Sequence, residues 1–184
     1  MNYNRTDIIA SLATTPGISA ISIIRISGNN LNSLFQSITR RKRFKNRYAT
    51  YCKIYNCNNK IILDKCILIY YQQPNTYTGE DIIEINCHGG KIISELILNM
   101  LYEYGVKPAL PGEFSYRAFL NNKIDLIDAE AISSLINLQS KYSHNIIMDN
   151  FDNKLSNDIL NINNKITHIL AIIEHELDFS EDEI

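Results

Sequence analysis

Tryptophan is absent from the 184 residues, and no apolar run approaches the roughly 20 residues that a membrane helix needs. The first residues, Met1 to Asp7, are polar and lack the apolar core of a secretion signal. A cytoplasmic chain with no membrane contact is therefore expected. Neither sign of charge dominates: 18 Lys and Arg stand against 20 Asp and Glu, which excludes a histone-like binder held by a global field. The four cysteines, Cys52, Cys57, Cys66 and Cys87, form no CxxC pair and are too sparse for a disulfide scaffold. Cys52, Cys57 and His88 could share a zinc ion, but without a paired ligand knuckle free thiols are the expected state. Phosphate-loop, GxSxG and HExxH signatures are missing as well, so a self-sufficient hydrolase is not expected.

Glycine and proline are missing from the last part of the chain, since all seven glycines and all four prolines lie at or before Gly112. Two structural regimes follow. What is abundant is isoleucine, with 32 copies, and asparagine, with 22, a bias that preserves apolar patterning while blunting propensity arguments. In the first regime Ala20 to Ser27 reads as a buried strand between Pro16-Gly17 and Gly28-Asn29-Asn30. Asn30 to Ile38 fits a short helix; Arg47 to Tyr55 and Cys66 to Tyr71 fit strands separated by a polar turn. After the turn-rich stretch Pro74 to Gly79, Asp81 to Asn86 alternates, with Ile83 and Ile85 on one face and Ile82, Glu84 and Asn86 on the other. A helix follows His88-Gly89-Gly90 and runs to about Tyr104. The glycine pair either permits a tight turn or offers helix amides to an anion. Strands mixed with helices without a regular repeat predict an α+β domain.

Glu113 to Asn121 and Asp128 to Leu138 are predicted helical. Beyond them Met148, Phe151, Leu155, Ile159, Ile162, Ile166, Ile169, Ile173 and Leu177 recur at steps of three and four, one continuous apolar stripe that needs a bundle, a second copy or further protein to cover it. Three charges sit oddly: Arg25 and Glu84 interrupt apolar strands, and Lys123 follows a helix. A charge in an apolar strand is costly unless paired or facing a ligand. An Arg25–Glu84 salt bridge or a solvent-facing strand side is the favoured reading from residue types alone; a ligand site is the other. The basic run Arg40, Arg41, Lys42, Arg43, Lys45 and Arg47 reads as a solvated loop, with RNA phosphate contact as the alternative.

Longer strings carry a resemblance. Asp7 to Ala10 leading to Ala13-Thr14-Thr15-Pro16-Gly17 and Ile24 to Gly28, then Pro74 to Asp81 with Glu84 and His88-Gly89-Gly90, then Pro111 to Ser115 and Arg117 to Leu126, and finally Ala129-Glu130-Ala131, Leu135-Ile136 and Asp178-Phe179, together resemble the MnmE (TrmE) family of tRNA-modification GTPases over nearly the whole chain. The resemblance implies a mixed-sheet tetrahydrofolate-binding domain similar to the glycine-cleavage T protein, spanning residues 1–122 and also dimerising. Residues 123–184 would be a partial α-helical domain ending where a Ras-like GTPase domain is inserted. On this expectation the chain is a fragment, or a truncated or split gene product, and GTP, Mg2+ and K+ belong to the GTPase domain rather than to these residues.

By the same resemblance Arg25, Glu84 and Lys123 match the family's folate-contacting positions, with 5-formyl- or 5,10-methylene-tetrahydrofolate as the implied cofactor. Glu84 would read the pterin's 2-amino and ring N–H groups, and Arg25 and Lys123 the folate oxygens or the one-carbon group. Stacking by Tyr77 and backbone contacts from Gly89 and Gly90 would complete the pocket. The implied partners are a second copy, the flavoprotein MnmG (GidA) and, through that complex, tRNA, whose wobble uridine receives an aminomethyl or carboxymethylaminomethyl group at C5. The alternative is a dimerising or partner-binding scaffold whose folate pocket is unused.

Overall fold

A computed structural model of the chain describes residues 6–56, 58, 60–138, 147–148 and 154–179. It divides into two compact units, Met1–Ile124 and Asp125–Ile184. The first is α+β. Its six strands, β1 (Ile9–Leu12), β2 (Ile21–Gly28), β3 (Thr50–Tyr55), β4 (Ile62–Tyr71), β5 (Asp81–His88) and β6 (Lys107–Pro108), form one sheet in the order β3-β4-β5-β2-β1-β6. All neighbours are antiparallel except β1 and β6, so the sheet is mixed.

Strand alternation sorts the side chains. Ile24 and Ile26 of β2, Ile83, Ile85 and Cys87 of β5, and Leu68 and Tyr70 of β4 are buried together against α1 (Asn32–Thr39) and α2 (Lys91–Glu103), which supply Leu34, Phe35 and Ile38 and Ile97, Met100 and Leu101. Each fully buried isoleucine or leucine contributes about 1.5–3 kcal/mol, and this layer is the principal core. The opposite face of β5 and β2 carries Arg25, Ser27, Glu84 and Asn86 together with Ile23 and Ile82.

Two predicted boundaries shift for identifiable reasons. The strand expected from Arg47 begins at Thr50, because Arg47 adopts a left-handed backbone with φ 58° that no strand accommodates. The helix expected from Asn30 begins at Asn32, since Asn30 has φ 55°, a conformation asparagine tolerates better than most residues. β1 and β6 were not expected from periodicity; at four and two residues they are too short to show any.

Cys52 and Cys66 face each other across β3 and β4, and Cys52, Cys66 and Cys87 are free and buried. Burial pushes the Cys87 thiol up to about 11, so it is held protonated. Cys57, of the zinc alternative, lies outside the described residues. Among the described residues no group of three His, Cys, Asp or Glu side chains could hold a metal.

After α3 (Glu113–Leu120), the Lys123 N–H bonds to the Ala118 carbonyl at 2.8 Å and closes that helix, so Lys123 belongs to the first unit. The second unit contains α4 (Leu126–Ile136) and α5 (Lys154–Phe179). Asp125 caps α4 reciprocally: its carboxylate accepts from the Asp128 N–H at 2.7 Å, and the Asp128 carboxylate accepts from the Asp125 N–H at 3.2 Å. Ser156 of α5 donates to the second Asp125 oxygen at 2.7 Å. These donors hold the Asp125 carboxyl below its ordinary range, the Asp128 amide contributing most. Asp125→Ala should cost the helical unit about 1 kcal/mol. Because the folded-state value is lowered, the cap's contribution is present above the usual carboxylate range and fades as pH falls through the folded value. Urea melts followed by helical circular dichroism at pH 7 and at low pH should show the variant's deficit shrinking with acid.

Of the long stripe, Ile159, Ile162, Ile166, Ile169, Ile173 and Leu177 are all about half exposed on α5, Ile173 at 48% being the least. Phe151 and the side chain of Leu155 lie outside what is described.

Candidate functional site

On the sheet face turned away from α1 and α2, Arg25 of β2 is the register partner of Glu84 of β5. The guanidinium donates to Glu84 Oε1 from Nε at 3.0 Å and from Nη2 at 2.7 Å, while the Tyr71 hydroxyl donates to Oε2 at 3.1 Å. Burial, then the Glu84 charge, pushes the Tyr71 phenol up, so it remains a donor. The salt bridge anticipated from residue types is thus present, and it is also the floor of a cavity of about 370 Å³. That volume lies near the lower end of the roughly 300–1,000 Å³ of small-molecule sites.

Asn75, Thr76 and Tyr77 make one wall, Ile82 adds apolar floor, and Arg47 completes the lining beside Asn75. Arg25 also lies 5.8 Å from the centroid of the Tyr77 ring and 5.9 Å from that of Phe114, close enough for cation–π attraction. Arg47 donates to the Asn75 carbonyl and sits 5.7 Å from the Tyr71 ring. Two guanidiniums and one carboxylate thus border a part-apolar, part-aromatic hollow. Such a set can accept hydrogen bonds from a planar N–H edge, stack on its ring and neutralise carboxylates.

The wall is held from behind by buried charge. Arg117 of α3 donates from Nη1 to both Glu80 oxygens at 3.1 Å and from Nη2 to Glu113 Oε1 at 2.9 Å, and Nη1 also reaches the Asp7 carbonyl at 2.9 Å. Ser27 donates to Glu80 at 2.8 Å, and the Asn121 amide donates to the Thr78 carbonyl at 2.6 Å. All three charged side chains are at most 8% exposed. Tyr77 is further tied to Ser115 through their hydroxyls at 2.9 Å. The loop before β5 is therefore anchored to β2 and α3, which fixes the position of the cavity wall.

Arg25, Glu84 and Tyr77 come together as expected from the sequence. Lys123 does not line the cavity; it is exposed, and its stem lies against Gly79 of the same loop, where an added Cβ would stand 3.2 Å from Lys123 Cε. Gly89 and Gly90 are absent from the lining too. They follow the far end of β5, about five residues or ~16 Å of strand beyond Glu84. Gly89 instead packs on Ser19, and neither glycine supplies the backbone contacts expected of the pair at this pocket. Missed from sequence were Arg47, submerged in the basic run, and Tyr71. Alternation along β4 could have found Tyr71, which pairs with Ile82 beside Glu84.

Fold and site together define an α+β domain with a hollow of small-molecule size on the open face of a mixed sheet, over a cross-strand Arg–Glu pair. The family model described as GTP-binding protein TrmE N-terminus matches residues 8–123, and the chain belongs to that family. Similar proteins include the tRNA modification GTPase MnmE of Francisella philomiragia subsp. philomiragia, 42% identical over 97% of this chain and 39% of that protein. Those of Campylobacter curvus, 40% identical over 100% of this chain and 41% of its own length, and Fervidobacterium nodosum, 40% identical over 98% and 40%, are comparable. The chain thus spans about two fifths of the length of these relatives.

Proposed function

We propose that this chain holds a one-carbon tetrahydrofolate, as the 5-formyl or 5,10-methylene form, in the cavity over Arg25 and Glu84, serving a tRNA-modification GTPase. The observation that carries the reading is the Arg25–Glu84–Tyr71 cluster at the base of the hollow, flanked by Tyr77 and Arg47. A reduced pterin offers an N–H edge for Glu84, a ring for Tyr77 and a glutamyl carboxylate for a guanidinium, so the residues present fit the group. When bound, the folate supplies the one-carbon unit; the protein's part is to bind and orient it.

Glu84 has about four lone-pair directions, of which Arg25 takes two on Oε1 and Tyr71 one on Oε2. Accepting a paired bond from the pterin edge therefore requires Arg25 to turn off Oε1, which frees its own fork for the ligand. Lys123, beside Gly79, would join as a mobile point charge at the rim. In this reading the first unit, Lys123 included, forms the folate-binding and dimerising part, similar to the glycine-cleavage T protein, and the second unit a partial helical domain. Work on the tRNA wobble uridine in the cytoplasm is shared with MnmG, and GTP hydrolysis with its Mg2+ and K+ is assigned to a GTPase domain outside these residues.

Titration of 5-formyltetrahydrofolate into the chain should give a saturable calorimetric signal. Glu84→Ala should weaken it tenfold or more, the equivalent of about 1.5 kcal/mol for a charged hydrogen bond. The mutual satisfaction of Arg25 and Glu84 favours one second reading, a dimerising scaffold with the pocket unused. No saturable signal from the intact chain, with Glu84→Ala changing nothing, would decide for the scaffold.

A further inference from the structure

The basic run has no compensating acid nearby in sequence, because no Asp or Glu occurs between Asp7 and Asp64. Among the described residues none of its six cations forms an ion pair with a carboxylate. All six are exposed. Yet the run is not a free loop. Phe44 turns inward and stacks on Phe35 at 5.0 Å, and at the far end the Arg47 N–H bonds to the Tyr70 carbonyl at 2.7 Å. The left-handed backbone at Arg47 then sends its guanidinium to the cavity, onto Asn75 and beside Tyr71.

From there the run borders β3, an edge strand of the sheet. Arg41 donates to the Tyr51 carbonyl at 3.1 Å, and Arg40 lies 4.0 Å from the Tyr55 ring centroid at the other end of that strand. One end of an uncompensated cationic border is thus a wall of the cavity, and the rest leads away from it. An anionic chain leaving the cavity past Arg47 meets positive charge along its path.

The geometry points to a tail subsite: residues 40–47 receive the carboxylates of a folate extended by several γ-linked glutamates, with Arg47 as the first contact. This rests on the folate reading of the cavity and adds to it a preference among folates. RNA phosphate is the less favoured occupant. Phe44, which could have stacked a base, is packed on Phe35, and Arg47 is committed to the cavity rather than to an outer surface.

Calorimetry with monoglutamyl and pentaglutamyl 5-formyltetrahydrofolate on the full chain tests it. The pentaglutamyl form should bind about tenfold tighter at low salt, the advantage shrinking as salt rises. The triple variant Lys42→Gln, Arg43→Gln, Lys45→Gln should lose that advantage while keeping the monoglutamyl affinity. Equal affinity for the two forms in the unaltered chain overturns the inference, as does an advantage that survives the triple substitution. Salt-sensitive tRNA binding lost in the triple variant, with the tail advantage intact, would reassign the run to RNA. Absence of binding by the monoglutamyl form is a different outcome, since it removes the folate reading itself.

Discussion

Replacing Arg117 by methionine should lower the unfolding free energy of the sheet domain by about 3–5 kcal/mol, the range for removing one partner of a buried ion pair. Methionine keeps most of the volume, so the loss reports charge rather than a cavity. Arg117 is 4% exposed and is shared by Glu80 and Glu113, both nearly as buried. Without it two carboxylates face each other in a site that water hardly reaches. Neutralising them should therefore recover stability: Glu80→Gln and Glu113→Gln added to Arg117→Met should return a substantial part of the deficit, although each would be damaging in the unaltered chain. Such non-additivity is the signature of a shared network. Far-UV circular dichroism in urea suits a chain without tryptophan. An additive set of losses would refute the charge argument. Because Glu80 ends the loop that carries Tyr77, the single variant should also weaken the proposed binding of 5-formyltetrahydrofolate beyond what stability explains.

This network illustrates what a sequence withholds. The strand β5 and the division of its faces were legible because alternation is local: Ile83 and Ile85 point to the core, Glu84 to the cavity. The helix following Gly90 and the long helix in the second unit were legible for the same reason, their apolar spacing being 3.6. Arg117 stands 37 positions from Glu80 and 110 from Asp7, and no local pattern encodes such pairings. Arg25 and Glu84 were found because each breaks an apolar strand. Arg47 was hidden because it breaks nothing: it looks like its neighbours, and only the turn of its backbone toward Tyr70 separates it from them. Counting charges located the basic run, whereas its relation to the cavity required the sheet edge to be placed.

The adjacent pair Gly89-Gly90 gives the second large effect, because the two glycines are needed for different reasons. A Cβ built at Gly89 would lie 1.9 Å from the Ser19 carbonyl oxygen and 2.4 Å from its carbonyl carbon. Those are backbone atoms, held where the Gly89 N–H bonds to the Ala20 carbonyl at 3.1 Å, so no rotamer change relieves the clash. At Gly90 an added Cβ meets nothing within 4 Å, but φ is 131°, a region that residues with side chains rarely adopt. Gly89→Ala should therefore cost about 3 kcal/mol, the upper end of overpacking, because the segment before β2 must separate from the end of β5. Gly90→Ala should cost nearer ~1 kcal/mol, as backbone strain alone. The separation can be checked independently: Gly89→Ala should raise amide exchange at Gly89, whose own bond to Ala20 is broken, while Gly90→Ala should leave that amide protected. Equal losses for the two variants, with exchange unaltered, would mean that the pair serves only as a turn.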